Sequence, residues 1–228
     1  MKHTLLIKDW LSSFLSLLFP RCCVVCGRPL AKGEECICTV CNINLPRTNY
    51  HLRKDNPVER LFWGQIPLER ATSFFFYEKG SDFRLILHRL KYGGQKEIGA
   101  IMGRYMAAEL LSSHFFQGID VIIPIPLHKK KQQIRGYNQS EWIARGIAAV
   151  TGIPIDTESI LRKKNTETQT RKSVFERRDN VEGIFELQHP ETLAGKHILI
   201  VDDVLTTGST TLACASCLVN VEGIRISI

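Results

Sequence analysis

The sequence predicts an α/β fold, a parallel sheet flanked by helices, preceded by a small N-terminal module of zinc-ribbon type. Three observations predict it. Ile198 to Val201 is a short unbroken apolar run, the pattern of a strand buried on both faces. Asp202 and Asp203 follow at once, then a hydroxyl-rich turn from Thr206 to Thr210, then a helical pattern with Leu212, Ala213, Cys217 and Leu218 on its inner side. The order strand, loop, helix recurs from Asp120 to Ala148, as alternating α/β architectures require. Two CxxC knuckles, Cys23 to Cys26 and Cys38 to Cys41, stand ahead of both.

The chain has 228 residues, enough for one α/β domain and a small appendage. The sequence divides into residues 1–50 (helix and cysteine module), 51–70 (connector) and 71–228 (the α/β domain). The net charge of +7 is concentrated in two segments, His128 to Arg135 and Arg162 to Arg178, which together carry more positive charge than the whole chain. An anionic partner is expected there. Six of the eight cysteines lie between Cys22 and Cys41. Lys8 and Asp9 interrupt the apolar N-terminus and no small-residue cleavage site follows, so neither a signal peptide nor stable membrane insertion is expected. A cytoplasmic location follows, where clustered cysteines bind metal more often than they pair.

In chain order, Leu5, Leu6, Trp10, Phe14, Leu17 and Leu18 recur at helical spacing, predicting a short amphipathic helix that ends before Pro20. Its polar face is not cationic like that of a membrane-surface helix, so it reads as packing on the next module. Eleven residues separate Cys26 from Cys38, and the four thiolates Cys23, Cys26, Cys38 and Cys41 suit one tetrahedral Zn²⁺ with no open position, a structural role. Cys22 and Cys36 are alternative ligands. Buried free thiols or a redox pair compete with this reading, but the stretch has too little apolar content to fold without a metal.

Tyr50 to Pro67 reads as connector and Thr72 to Tyr77 as an aromatic strand. Ser81 caps a helix with Phe83, Ile86, Leu87 and Leu90 as its stripe, and a further helix runs from about Gln95 to Ser112. Asp120 to Pro126 is a buried strand that its prolines end. A basic loop from His128 to Tyr137 leads to a helix capped by Asn138, with Glu141 as capping-box partner. Ile155 to Leu161 reads as a short strand. Arg162 to Gly183 is long, polar and without sustained period, the mark of a functional or mobile loop. Ile224 to Ile228 is a last strand.

The turn after Asp203 offers N–H groups and hydroxyls to a phosphate, and the following helix dipole favours its charge. The two acids sit where ribose hydroxyls or a sugar-bound Mg²⁺ would be met. An ordinary strand-to-helix turn is the competing reading, but adjacent acids at a strand end have little structural use. The basic loop occupies the same position after its own strand, where open α/β sheets bind ligands.

LKYGGQKEIG, DVIIPIPLH, YNQSE, TQTRKSVFERRDNV and VDDVLTTGST together look like the ComF/GntX family, over nearly the whole chain. Its members join a zinc-finger module to a type I phosphoribosyltransferase-like domain and are linked to natural competence, the uptake and handling of transforming DNA. The resemblance implies that Asp202 and Asp203 meet the ribose of phosphoribosyl pyrophosphate (PRPP) and serve as the catalytic pair. It implies that Val204, Leu205, Thr206, Thr207, Gly208, Ser209 and Thr210 hold the ribose and 5′-phosphate. Leu127, His128, Lys129 and Arg135 would meet pyrophosphate, with Lys91 and Tyr92 at the rim. Lys163, Lys164, Arg171, Lys172, Arg177 and Arg178 would contact DNA or close over PRPP. Mg²⁺ would accompany PRPP, and single-stranded DNA and other competence or DNA-processing proteins are the implied partners. No segment reads as a pocket that selects a nucleobase. The implied role is therefore a PRPP-binding competence protein, with transfer of ribose 5-phosphate to an unknown acceptor as the alternative.

Overall fold

The structure, a computed structural model, describes residues 20–163 and 183–228. The helix expected before Pro20 and the basic positions Lys164, Arg171, Lys172, Arg177 and Arg178 lie outside the described residues.

Four strands form one parallel sheet. They are β1 (Leu68–Arg70), β2 (Val121–Pro124), β5 (His197–Val201) and β6 (Arg225–Ser227), in the order β1-β6-β5-β2. β2 and β5 pair from Val121↔Ile198 to Pro124↔Val201. The carboxyl ends of these two neighbouring strands, β5 inside the sheet and β2 at its edge, therefore finish level with each other. The unbroken apolar run of β5 has the expected cause. Ile198 and Ile200 enter one core with Val121, Ile123 and Leu218, while Leu199 and Val201 enter another with Ile122, Ala144 and Ile147. β3 (Ile160–Arg162) and β4 (Phe185–Leu187) form a separate antiparallel hairpin.

The helices are α1 (Thr39–Ile43), α2 (Pro57–Arg60), α3 (Arg84–Tyr92), α4 (Glu97–Leu110), α5 (Lys129–Arg135), α6 (Gln139–Thr151) and α7 (Ser209–Ser216). α4 is the frame on which two regions meet. Its Ile98 and Met102 share a core with Cys23, Ile37 and Cys41 of the N-terminal module. Its glycines pack on α6 at backbone distance. A Cβ on Gly103 would stand 2.2 Å from the Ile143 carbonyl oxygen, and one on Gly146 would stand 2.1 Å from that of Ala100. Two ion pairs add to the module's seat, Arg47 to Glu109 at 2.6 Å and Arg104 to Glu35.

Several elements differ from expectation for identifiable reasons. The first strand is Leu68–Arg70, inside the presumed connector, which also contains α2 with a full Asn56/Glu59 capping box. Thr72 to Tyr77 is not a sheet strand. Thr72 still donates to the Ile228 carbonyl, but the chain then bends and Phe75 bridges Arg47, carrying the aromatic run onto the N-terminal module. The basic loop after β2 is the helix α5. His128 Nδ1 accepts from the Lys130 amide at its start and Gly136, at φ 80°, ends it. Asn138 caps α6 as expected, but Glu141 pairs with Arg145 at 2.6 Å instead of closing a capping box. Ile155 makes a single parallel bridge to Ile122, and the strand itself starts at Ile160.

Candidate functional site

Asp202 and Asp203 stand directly above β5, and each carboxylate has its own partner from a different helix. Ser140 Oγ, in the first turn of α6, donates to Asp202 Oδ1 at 3.2 Å, and the Asp203 amide donates to the same oxygen at 2.8 Å. Lys91 Nζ, in the last turn of α3, lies 3.0 Å from Asp203 Oδ2. Burial and the Asp203 charge push the Asp202 carboxyl up to about 6, against the pull of those two hydrogen bonds and of Lys91.

The segment Tyr137 to Ser140 ties this corner together. Tyr137 Oη donates to the Leu90 carbonyl at 2.5 Å, joining α6 to α3 one residue before Lys91. Asn138 accepts from the Ser140 amide and donates to the Ile125 carbonyl at 3.0 Å, joining α6 to the end of β2. Gln139 accepts from Arg135 Nη1 at 2.7 Å. Sequence reasoning singled out Asn138 as a cap and missed Ser140 as the Asp202 partner. The signal was available: a hydroxyl in the first turn of a helix that starts at the sheet's carboxyl edge faces the acids on the neighbouring strand.

Cations converge on the same place from three elements. Lys131 of α5 is partly buried, and burial together with the charges of Arg162, Arg135 and Lys91 lowers its pKa. Arg162 of β3 lies over the Phe185 ring at 5.3 Å. Burial lowers its pKa while the nearby Asp202 charge offsets part of that effect. Arg135 covers the Tyr92 ring at 5.7 Å, and Tyr92 is 69% exposed. α5 leaves Lys131 partly buried and Lys129 and Lys130 exposed. Leu127 and His128 are partly buried at the start of α5. Lys163 pairs with Glu186 at 2.5 Å across the β3–β4 hairpin.

The turn after the acids is held open by its glycine. Gly208 has φ 75°, and a Cβ there would meet the fully buried Phe62 ring at 3.2 Å. Val204, Leu205 and Ser209 are partly buried, Thr206, Thr207 and Thr210 exposed. Thr207 and Ser209 hydroxyls lie 2.8 Å apart at the start of α7. Buried Ala213, Cys214, Ala215 and Leu218 form the inner side of this region, with Leu212 and Cys217 only partly covered. Beside the acids a mostly apolar cavity of about 500 Å³ runs between Phe74 to Tyr77 and Leu199 to Thr206. The buried hydroxyls of Thr72 and Thr211 on its wall have no hydrogen-bond partner among the described residues.

A second site lies in the N-terminal module. The ligand atoms of Cys23, Cys26, Cys38 and Cys41 all lie within 4.8 Å of one another. Cys26 Sγ and Cys38 Sγ are 3.7 Å apart, close to the ~3.8 Å that two thiolates take up on one tetrahedral ion with ~2.3 Å bonds. The Cys38 amide donates to Cys23 Sγ and the Cys41 amide to Cys38 Sγ, a pattern that stabilises thiolates. The Arg28 side chain, donating at 3.4 Å, lowers the Cys26 thiol to about 6. The cluster can hold one metal ion, and Cys22 and Cys36 are not part of it. No helix among the described residues is long and apolar enough to cross a membrane.

Comparison with known proteins adds two findings. The phosphoribosyl transferase domain model matches residues 139–228, from the start of α6 through the acids and the turn. DNA utilization protein YhgH of Escherichia coli O157:H7 is 32% identical over 217 residues, 89% of this chain and 92% of that protein. Competence protein F of Haemophilus influenzae is 32% identical over 130 residues, 55% of this chain and 57% of its own length. Competence protein ComFC of Bacillus subtilis is 26% identical over 214 residues, 92% of this chain and 82% of that protein.

Proposed function

The chain belongs to the ComF family of competence and DNA-utilization proteins, and from that premise we propose that it binds PRPP at the Asp202–Asp203 corner and acts in the handling of single-stranded DNA. One observation carries the PRPP reading. Two acids that lead into a hydroxyl turn at a helix N-terminus are met by Lys91 and Arg162, and Lys131 and Arg135 lie near those two cations. Cations gathered beside such a corner favour the approach of a polyanion. A ribose 5-phosphate carrying pyrophosphate suits both halves: acids for sugar hydroxyls, the turn for the 5′-phosphate, cations for the pyrophosphate. Mg²⁺ would add charge neutralisation at the pyrophosphate, with Asp202 and Asp203 as the residues to hold it.

The cysteine cluster holds a structural Zn²⁺, since an all-thiolate set leaves no open position. Such a site needs reduced thiols, which agrees with a cytoplasmic location. The DNA reading rests on the relatives' names together with exposed Lys129, Lys130 and Tyr92 beside the site, cations for phosphates and a ring for a base.

A titration of the protein with PRPP and Mg²⁺, followed by thermal melting, tests the first part. Bound PRPP raises Tm, because a ligand of the folded state alone must do so; an unchanged Tm at millimolar PRPP refutes it. Single-stranded DNA affinity should fall with salt at a log–log slope of about −0.7 for each phosphate contacted, and salt-independent binding refutes the second part. The cavity beside Val204 to Thr206 favours a second reading, an active transferase with an apolar acceptor. Pyrophosphate release from PRPP on adding a metabolite extract, abolished by Asp202→Asn with Asp203→Asn, decides for it.

A further inference from the structure

We propose that the cavity beside the acids is a peptide site, shaped for an extended apolar polypeptide strand that lies in line with β6. The inference does not depend on the PRPP reading, and it competes with the acceptor reading of the same cavity. β6 lies between β1 and β5, and Ser227 pairs with Arg70 on one side and Leu199 on the other. Both neighbours run on past that point, as Ala71 to Tyr77 and as Ile200 to Thr206. The cavity of about 500 Å³ lies between these two stretches, with Ile228 also on its wall. Two strands that flank a third stand about 10 Å apart, so the gap opens one strand wide.

The hydrogen-bond ladder points the same way. The Ile228 amide donates to the Arg70 carbonyl at 3.0 Å, and the Thr72 amide donates to the Ile228 carbonyl at 2.9 Å. The next groups along that edge are the Thr72 carbonyl and the Phe74 amide. Neither makes a backbone hydrogen bond among the described residues. A strand running on in the line of β6 takes both, since a parallel ladder repeats every two residues. Thr72 is buried, and buried backbone groups are rarely left unpaired. The Thr72 and Thr211 hydroxyls on the same wall also lack partners, with these residues 6% and 1% exposed. The lining sets the composition of the occupant. Val58 and Ile200 come from one core, Leu110, Ile147 and Leu199 from another. A strand between them is apolar on both faces, as β5 is. Main-chain bonds then supply affinity and apolar side chains selectivity, as in recognition by strand addition.

Calorimetric titration and thermal melting of the full chain test this. The probe is a blocked peptide of about five valine and isoleucine residues, an ordinary strand length, ending in lysines for solubility. It should bind saturably and raise Tm. The same peptide methylated on its second amide, the one that meets the Thr72 carbonyl, should bind about 10-fold more weakly, because that carbonyl stays buried and unpaired. A peptide with lysine at alternate positions should not bind, since it has one polar face. Equal affinity of the plain and methylated peptides would overturn the proposal. So would anilinonaphthalene sulfonate bound in the cavity and not displaced by the peptide, a result that favours the small-acceptor reading. If the free peptide gives no signal, the same segment joined to Ile228, where its effective concentration is about millimolar, decides. A raised Tm upholds the strand site and an unchanged or lowered Tm refutes it.

Discussion

The four sulfurs of the metal site come from one stretch, Cys23 to Cys41, and converge within 4.8 Å through two local knuckles. The two carboxylates above β5 are adjacent in sequence, yet what holds them comes from far away: Ser140, 62 residues earlier, and Lys91, earlier still. Both clusters gather groups that repel when ionised. The cysteine cluster can resolve that repulsion with one metal ion shared by its thiolates. The acid pair divides it, with a hydroxyl and an amide for Asp202 and an ammonium for Asp203. The difference teaches where each region is fragile. The module would depend on the ion its thiolates can hold, and the acid corner depends on the crossing of α3, α4 and α6 that delivers the partners.

The largest effect should come from the ion. Cys38→Ser removes a thiolate of the cluster while its hydroxyl can still accept from the Cys41 amide at the start of α1. Loss of metal and a destabilisation of at least ~3 kcal/mol are expected, since structural zinc contributes ~10 kcal/mol or more to folding small modules. Elemental analysis and thermal melting read both. Cys36→Ser should leave the metal content at one ion per chain, because Cys36 lies outside the cluster. A loss of metal there would break the comparison by showing a different ligand set.

Next in size is the frame between the two regions. Gly103→Ala places a methyl 2.2 Å from the Ile143 carbonyl oxygen, a backbone atom that cannot turn aside. Overpacking of this kind costs about 3 kcal/mol. Because α4 carries the module on one side and α6 on the other, the same change should displace Ser140 and weaken ligand binding without loss of metal. Melting, metal content and PRPP titration of one variant separate these effects.

What was legible in the sequence follows from the same contrast. The two CxxC knuckles announce a metal site by spacing, since their chemistry is local, while the choice of Cys23, Cys26, Cys38 and Cys41 over Cys22 and Cys36 needed the structure. β5, the acids and the turn to α7 were equally plain, because a strand buried on both faces and the polar edge above it lie in consecutive residues. The helix α5 was hidden by composition: seven residues, three of them consecutive lysines, carry no apolar stripe, and the His128 cap is not a common one. Its consequence, Lys131 more buried than Lys129 and Lys130, could not be seen without the helix. The aromatic run from Phe74 to Tyr77 has strand propensity but spends it on Arg47 and the module, a tertiary choice that propensity does not reveal. Ser140 and Lys91 act on the acids across the fold, and no spacing records that.

A smaller effect, of opposite sign, is expected at Asp202. Its carboxyl is raised to about 6 in the folded chain, above the ordinary ~3.9 of an unfolded aspartate. Between these values the folded state binds more protons, so the Asp202 contribution to stability falls as pH rises through that window and stays lost above it. Asp202→Asn removes the penalty. It should stabilise the ligand-free chain at pH 7 by about 1 kcal/mol, a Tm rise of about 2–4 °C, and the gain should vanish below about pH 4. PRPP binding should be lost in the same variant. A neutral or destabilised Asn variant at pH 7 would show that Asp202 is as well compensated as the thiolates are, and the contrast between the two clusters would close.

The smallest change tests the remote partner alone. Ser140→Ala removes one hydroxyl that donates to Asp202 Oδ1 and leaves the Asp203 amide on that oxygen. The Asn138 cap and its hydrogen bond to Ile125 are untouched, so α6 should keep its place. Losing a donor to the ionised carboxylate raises the Asp202 pKa further above 6. At pH 7 the carboxylate is then less stable, and the variant should lose about 0.5–1 kcal/mol, the net worth of such a bond. At pH 5 the loss should shrink, because Asp202 is already largely protonated there. The pH at which PRPP affinity falls by half should move upward in step, since the ligand needs the ionised form. A stability loss that is the same at pH 5 and pH 7 would mean that Ser140 serves the helix and not the acid.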